Sequence, residues 1–242
     1  MSLSTGRRDL RRSNIVGSIA AATVISSTLL GAMSSGGAGA SAASDKAQAK
    51  HYLLTLSDMP AGWKTEKGSS GSGSGNFPGG KQLASCIGVP SKLVNANPPE
   101  TNTPYYENKS GSLEIQDTVS IFSSAKVAEA ELATMANAKT PSCMAALMNG
   151  SLKAKIAASA GKGAKVGTIT VTSADPAQFG NGTTGLVMSL PFTVQGVSLT
   201  ATIASVYYVK GKFGQEIDFY SYGSSFPSAI AQPITAIAVN RL

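Results

Sequence analysis

The fold of this chain is decided by residues 185–222, which read GLVMSLPFTVQGVSLTATIASVYYVKGKFGQEIDFYSY. Apolar residues alternate with polar or small ones through most of this stretch, which is the period of a half-buried β-strand. A two-residue turn at 195–196 puts every apolar residue of the resulting hairpin on one face, whereas a one-residue slip would not. The predicted pairs are Val194 with Val197, Phe192 with Leu199, Leu190 with Ala201, and Met188 with Ile203.

Pro191 places a condition on this hairpin. In the predicted register it lies opposite Thr200 at a non-hydrogen-bonded pair, so its missing N–H points away from that partner. The strand should therefore lie at an edge of the sheet or meet a local break on its other side.

The last strand of the stretch, residues 213–222, carries apolar and acidic residues on opposite faces. Keeping the apolar set with the main core requires an odd number of loop residues, so we predict a loop of three or five with Gly211 or Gly214 at positive φ. The face opposite the main core would then carry Tyr208, Tyr220 and Tyr222.

The rest of the chain supplies further strands and flanking helices. Alternation predicts a strand at 113–121, and β-branched residues indicate another at 166–173. Apolar residues at helical spacing predict helices at 44–56, after Ser123 or Ser124, after Pro141 and after Pro227. The sequence therefore predicts an α+β fold with a central twisted antiparallel sheet of about five strands flanked by helices.

Asp117 is an anomaly in the strand at 113–121, because it falls on an otherwise apolar face. Burying an unpaired carboxylate is costly. We expect a bulge or the sheet edge to turn Asp117 toward water, and a buried functional carboxylate is the alternative.

The first 42 residues have the order of a secretory signal peptide. Four arginines precede an uncharged apolar run from Ile15 to Met33, and alanine-type cleavage sites follow at 38–42. An uncleaved anchor helix is the alternative, because the apolar run is nearly long enough to span a bilayer. We expect a secreted or extracytoplasmic protein of the cell wall or surface, attached to a membrane only if the signal is retained.

The remaining residues, 43–242, are expected to form a single domain. Residues 67–81 are almost entirely glycine and serine, which predicts a flexible loop inside that domain. Cys86 and Cys143 are the only cysteines, and in an oxidising compartment a disulfide between them is the expected state. Two buried free thiols are the alternative.

Charge and composition argue against several classes of function. Removing the predicted signal takes away four arginines and one aspartate, so the net charge falls from +7 to +4, and Arg241 is the one arginine left. A nucleic-acid-binding protein would cluster its basic residues and use arginine, so we predict no nucleic-acid partner. His51 is the only histidine, and two distant cysteines give no metal-ligand spacing.

We predict no enzyme activity, no cofactor and no metal site. Paired-carboxylate hydrolysis stays open as an alternative through Glu114, Asp117, Glu216 and Asp218. Aromatic side chains with a polar tip suit a binding groove. The candidate ligand-binding residues are Trp63, Tyr105, Tyr106, Asp117, Tyr208, Tyr220 and Tyr222. A lone tryptophan after such a turn is most often a core plug, and a ligand platform is the alternative for Trp63. For the tyrosines of the sheet, the alternative is that a layer of helix covers them and forms a second core.

The order of short motifs resembles a group of secreted actinobacterial proteins. The motifs are Leu53-Leu54, Asp58-Met59-Pro60-Ala61-Gly62-Trp63, Ile121-Phe122-Ser123-Ser124-Ala125 leading into a helix, and Pro141-Ser142-Cys143. Over residues 46–242 the chain resembles the sensor-like extracellular domains of receptor serine/threonine kinases and their Mog1/PsbP-like relatives. The resemblance implies a central antiparallel sheet flanked by helices, a disulfide and a ligand-binding cleft. The chain contains no kinase domain, and the resemblance implies no catalytic residue.

Together these features predict an exported, non-enzymatic domain that binds an unknown small molecule or a cell-envelope component. A secreted hydrolase using carboxylates and a structural protein of the cell wall are the alternatives.

Cleavage of the signal gives the first testable prediction. The exported protein should begin at residue 41 or 43, because the two alanine-type sites end at Ala40 and Ala42. Intact-mass spectrometry of the exported protein measures this directly. A mass that includes the apolar run would show an anchor instead.

Overall fold

The computed structural model describes residues 39–66, 79–94, 98–159, 163–174, 183–194 and 196–242, with side chains described from residue 43 onward. The apolar run of the predicted signal and most of the predicted Gly/Ser loop lie outside these residues. Within the described part, no helix combines the length and hydropathy needed to cross a membrane.

A nine-stranded sheet forms the centre of the molecule, and every strand pair in it is antiparallel. The strands are β1 (Lys64–Thr65), β2 (Glu100–Asn102), β3 (Tyr106–Glu107), β4 (Leu113–Ile121), β5 (Lys165–Val166), β6 (Thr170–Ala174), β7 (Thr183–Val194), β8 (Val197–Lys210) and β9 (Phe213–Tyr222). Their order is β1-β3-β4-β9-β8-β7-β5, with β2 also paired to β4 and β6 also paired to β7.

The prediction of about five strands is too low. The difference comes from three pairings of two or three residues at β1, β2 and β3, and from the division of one predicted strand into β5 and β6. Segments of two or three residues are too short to show an alternating pattern in the sequence. Whether they form strands depends on the neighbouring strand to which they pair.

The predicted hairpin is confirmed, register included. β7 and β8 pair with Val194 opposite Val197, and with Met188 opposite Ile203. Pro191 lies opposite Thr200, and the other side of β7 shows the expected break. The chain there leaves β7 between β5 and β6, where the N–H of Gly167 donates to the Pro191 carbonyl at 2.7 Å.

The predicted odd loop before the last strand is wrong. β8 and β9 are joined by the two residues Gly211 and Lys212, with Lys210 opposite Phe213 and Gly211 at φ +59°. The even turn reverses the faces of β9, because side chains alternate along a strand. The apolar residues of β9 therefore lie away from the hairpin core, and its acids lie on the same side as that core.

Helices cover both faces of the sheet. They are α1 (Gly39–Tyr52), α2 (Gly80–Ile87), α3 (Ser91–Val94), α4 (Ala125–Met135), α5 (Thr140–Leu147), α6 (Lys153–Ser159) and α7 (Ser228–Arg241). The Ser124 hydroxyl accepts from the N–H of Val127 at the start of α4, as an N-cap does. A π-helical turn at Met148–Leu152 joins α5 to α6, since Gly150 leaves helical geometry.

Two hydrophobic cores result, one on each face. The hairpin face carries Met188, Ile203 and Tyr220, and it packs with residues of α2, α4 and α5. The reverse face carries Ile115 and Phe219 and packs with residues of α1 and α7. β4 and β9 lie between the two layers, and for this reason nearly every residue of β9 is buried.

The predicted disulfide is confirmed. Cys86 of α2 is bonded to Cys143 of α5, which are 57 positions apart in the chain. The bridge joins two helices of the layer that covers the hairpin face.

Removing this bridge gives a second prediction. Replacing both cysteines by serine should lower the free energy of unfolding by about 4 kcal/mol, because the bridge closes a long loop in the unfolded chain. Urea denaturation of the oxidised protein and the double variant measures the difference. Reduction of the wild-type protein should reproduce it, and a loss below about 1 kcal/mol would contradict the prediction.

Candidate functional site

The three candidate tyrosines of the sheet do not share a face. Tyr208 lies on the reverse face, while Tyr220 and Tyr222 lie on the hairpin face opposite Ile203 and Ala201. The predicted grouping is wrong because it assumed an odd loop before β9. Tyr208 and Tyr220 are buried and Tyr222 is half-buried, so the three side chains do not share one open face.

Tyr105 and Tyr106 are neighbours in the chain but belong to opposite cores. The ring of Tyr105 packs edge-on against Tyr220, with centroids 5.6 Å apart. The Tyr106 hydroxyl donates to the carbonyl of Leu54 at 3.2 Å. Both side chains are buried, and their contacts are with other parts of the two cores.

Asp117 is fully buried, so the expectation that a bulge or edge would turn it toward water is wrong. Its carboxylate accepts from the N–H of Leu54 at 2.7 Å and from the Gln215 amide at 2.8 and 2.9 Å. Burial raises the pKa of Asp117 to about 7, against the opposing effect of these hydrogen bonds. Asp117 anchors the chain where it leaves α1.

Arg241, near the end of α7, fastens the same segment from the other side. Its guanidinium donates to the carbonyl of Leu53 at 2.8 Å and to the Asp58 carboxylate at 2.6 Å. Although burial opposes the shift, the hydrogen bonds from Arg241 and Thr55 lower the pKa of Asp58. Arg241 thus holds the motif from Leu53 to Trp63 at two points, Leu53 and Asp58.

The two acids of β9 form a group that the sequence pattern assigned to a solvated face. Glu216 and Asp218 are 1% and 2% exposed, and both lie on the hairpin face. Asp218 accepts from the hydroxyls of Ser205 and Tyr220, the latter at 3.0 Å. Neither carboxyl oxygen of Glu216 has a hydrogen-bond partner of good geometry. Together with Glu100 of β2 we call these residues the acid band.

Burial is the main cause of unusual protonation in the acid band. It raises the pKa of Asp218 to about 6 and that of Glu100 to about 8. The pKa of Glu216 lies well above its usual value, because of burial first and then the nearby Asp218. The half-buried Tyr222 donates to Glu114 at 3.1 Å, and burial raises the pKa of Glu114 to about 7.

These positions bear on the hydrolase alternative. Glu216 and Asp218 do form a pair with shifted pKa values, but neither is open to a substrate in this conformation. Asp117 lies on the other face, and His51 is exposed on α1. Within the described residues, no three acids, histidines or cysteines form a group suited to a metal ion.

Trp63 is the candidate residue that lines a groove. The groove has a volume of about 430 Å³ and is lined by Ala61, Gly62, Trp63, Asn108, Lys109 and Ser110. Trp63 is half-buried against the reverse core, and Lys109 and Ser110 are exposed. The Asn108 side chain accepts from the N–H groups of Ser112 and Leu113, and so holds the turn that forms the opposite wall.

A second groove lies at the end of the β7–β8 hairpin. It measures about 480 Å³, and its walls include Lys165, Val166, Pro191, Phe192 and Leu199. None of the seven candidate residues lines it.

The anchoring role of Asp117 gives a third prediction. Asp117→Ala should lower the free energy of unfolding by roughly 3 kcal/mol, because it leaves the buried Leu54 N–H without an acceptor and leaves the Gln215 amide with only the Tyr52 carbonyl at 3.5 Å. Chemical denaturation measures the loss. As a matched control, Asp45→Ala removes a partly exposed ion pair with Lys212 and should cost less than about 1 kcal/mol. Equal losses would refute the anchoring role.

Comparison with known proteins finds little. No protein-family model matches the chain, and no curated protein matches it in sequence. Among solved structures, the chain is similar to the extracellular domain of PknH from Mycobacterium tuberculosis, at 10% sequence identity and a TM-score of 0.37. The match covers 81% of this chain and 95% of that chain. The likeness is weak, and it identifies neither a ligand nor an activity.

Proposed function

We propose that this chain is an exported, non-enzymatic domain that binds a small molecule or a component of the cell envelope in the groove beside Trp63. The observation that carries the proposal is the partial exposure of Trp63 in a groove, while the candidate tyrosines Tyr105, Tyr106, Tyr208 and Tyr220 are buried. A partly exposed indole offers a flat apolar face and an N–H at its edge, and both suit contact with a ligand.

The chemistry of the groove favours a particular kind of ligand. The indole offers a flat apolar surface, and Lys109 and Ser110 offer a positive charge and a hydroxyl on the opposite wall. A ring with one apolar face and with hydroxyl or anionic substituents fits such a groove, as many envelope saccharides do.

Anchoring of the groove supports the same proposal. Asp117 and Arg241 hold the chain just before Trp63, and Asn108 holds the facing turn. A wall held in place loses little conformational entropy when a ligand binds. A purely structural wall protein would need no such groove.

An extracytoplasmic location is supported by two independent features. The first 42 residues have the pattern of a signal peptide, and the Cys86–Cys143 disulfide is typical of oxidising compartments.

The groove gives a fourth prediction, for which the chain supplies its own probe. Trp63 is the only tryptophan, so a ligand in the groove should change the intrinsic fluorescence of the protein directly. We expect soluble peptidoglycan fragments or related envelope saccharides to shift this fluorescence in a saturable titration. Calorimetry should show at least about tenfold weaker binding to Trp63→Ala, which corresponds to about 1.4 kcal/mol.

Tyr222→Phe serves as the matched control, because Tyr222 is an aromatic candidate that does not line the groove. It should bind as the wild type does. A ligand whose binding leaves the fluorescence unchanged and depends on Tyr222 would contradict the proposed site.

A further inference from the structure

Glu216 and Asp218 of the acid band are buried on the central strand β9, and Glu100 is half-buried on the short strand β2. Glu216 faces Tyr207 of β8 and Thr118 of β4, and Asp218 faces Ser205 and Gln116 in the same way. Glu100 lies opposite Ser120, one strand further along. Above them, α4 packs on β8 and β9.

Among the described residues, no cation acts on the pKa of Glu216, Asp218 or Glu100. The hydroxyls of Tyr207 and Tyr220 and the carboxyls of the band itself are its close titratable neighbours. Helix α4 carries the buried Glu131, whose raised pKa comes from burial alone, and the exposed Lys126 and Glu129. The ion pairs of the described chain join other residues: Lys64 with Glu107, Lys212 with Asp45, and Arg241 with Asp58.

Two buried carboxylates side by side without a cation cannot both be ionised at low cost, so the pair retains a proton. Ser205 and Tyr220 donate to Asp218, which makes it the better holder of a negative charge. Glu216 has one neighbouring hydroxyl, that of Tyr207, and no hydrogen bond of good geometry, which makes it the better holder of the proton.

We propose that the acid band is a proton-operated latch, which keeps the hairpin face packed beneath α4 while its carboxyl groups are protonated and loosens that packing when they ionise.

The direction of the pH dependence follows from linkage. The pKa values in the folded state are raised, to about 6 for Asp218 and about 8 for Glu100, with Glu216 also raised. In the unfolded chain these groups release their protons near their ordinary values of 3.8 and 4.5. The stabilisation is therefore fully present below about pH 4 and is lost as the pH rises through the folded values. Acid surroundings tighten the domain, and alkaline surroundings loosen it.

Glu216→Gln tests the latch, because glutamine has the shape of a protonated glutamate and cannot ionise. The melting temperature of the exported wild-type protein should fall between pH 4.5 and pH 8.5 as the linkage requires. The variant should match the wild type at pH 4.5 and melt roughly 5 °C higher at pH 8.5. Glu129→Gln, an exposed change of the same kind on α4, should follow the wild type at every pH.

Hydrogen exchange locates the effect. After correction for intrinsic rates, amides of β8, β9 and α4 should exchange faster at pH 8.5 than at pH 5 in the wild type, and much less so in Glu216→Gln. Asp218→Asn is a second variant, since its hydroxyl partners can rotate to meet an amide, and it should also flatten the pH profile. The latch would be overturned if the melting temperatures of both variants changed with pH in parallel with that of the wild type. A wild-type melting temperature that rises toward pH 8.5 would overturn it as well.

Discussion

The two-residue turn formed by Gly211 and Lys212 sets the register between β8 and β9, and the rest of the sheet depends on that register. One residue more or fewer would exchange the two faces of β9, because side chains alternate along a strand. Gly211 permits the short turn because it adopts a positive φ without steric cost. As a result Phe219 packs with α1 and α7, while Glu216 and Asp218 are carried beneath α4.

Stability alone does not account for acids in that position. Apolar residues of similar volume often stabilise a core at least as well as buried polar or charged groups do. In the proposed latch, neighbouring carboxyls instead couple the folded state to protons, and burial together with the nearby Asp218 raises the pKa of Glu216. The groove beside Trp63 lies against the other core and is built from different segments. The proposed binding at the groove and the proposed response to pH therefore involve different residues, so separate variants test them.

The segment after α1 shows how a short motif obtains a fixed shape. The carbonyl of Leu53 accepts from Arg241, and the N–H and carbonyl of Leu54 bond to Asp117 and Tyr106. These three partners come from distant parts of the chain. These contacts explain why the motif ending at Trp63 is ordered although it contains little regular structure. They also explain why Asp117 can be buried, since its partners are supplied by the backbone of that segment and by Gln215.

Local pattern was sufficient for the α+β class, for the register of the β7–β8 hairpin and for the break opposite Pro191, because period-two alternation and the loss of an N–H act between near neighbours. The pairing of Cys86 with Cys143 also followed, since two cysteines allow one bridge. Only the tertiary structure decided the parity of the turn before β9, the burial of Asp117 and the acid band, and the exposure of Trp63. Each of these depends on which distant element covers a face of the sheet. The alternation of apolar and polar residues along a strand shows which side chains share a face, but it does not show whether water or a helix covers that face.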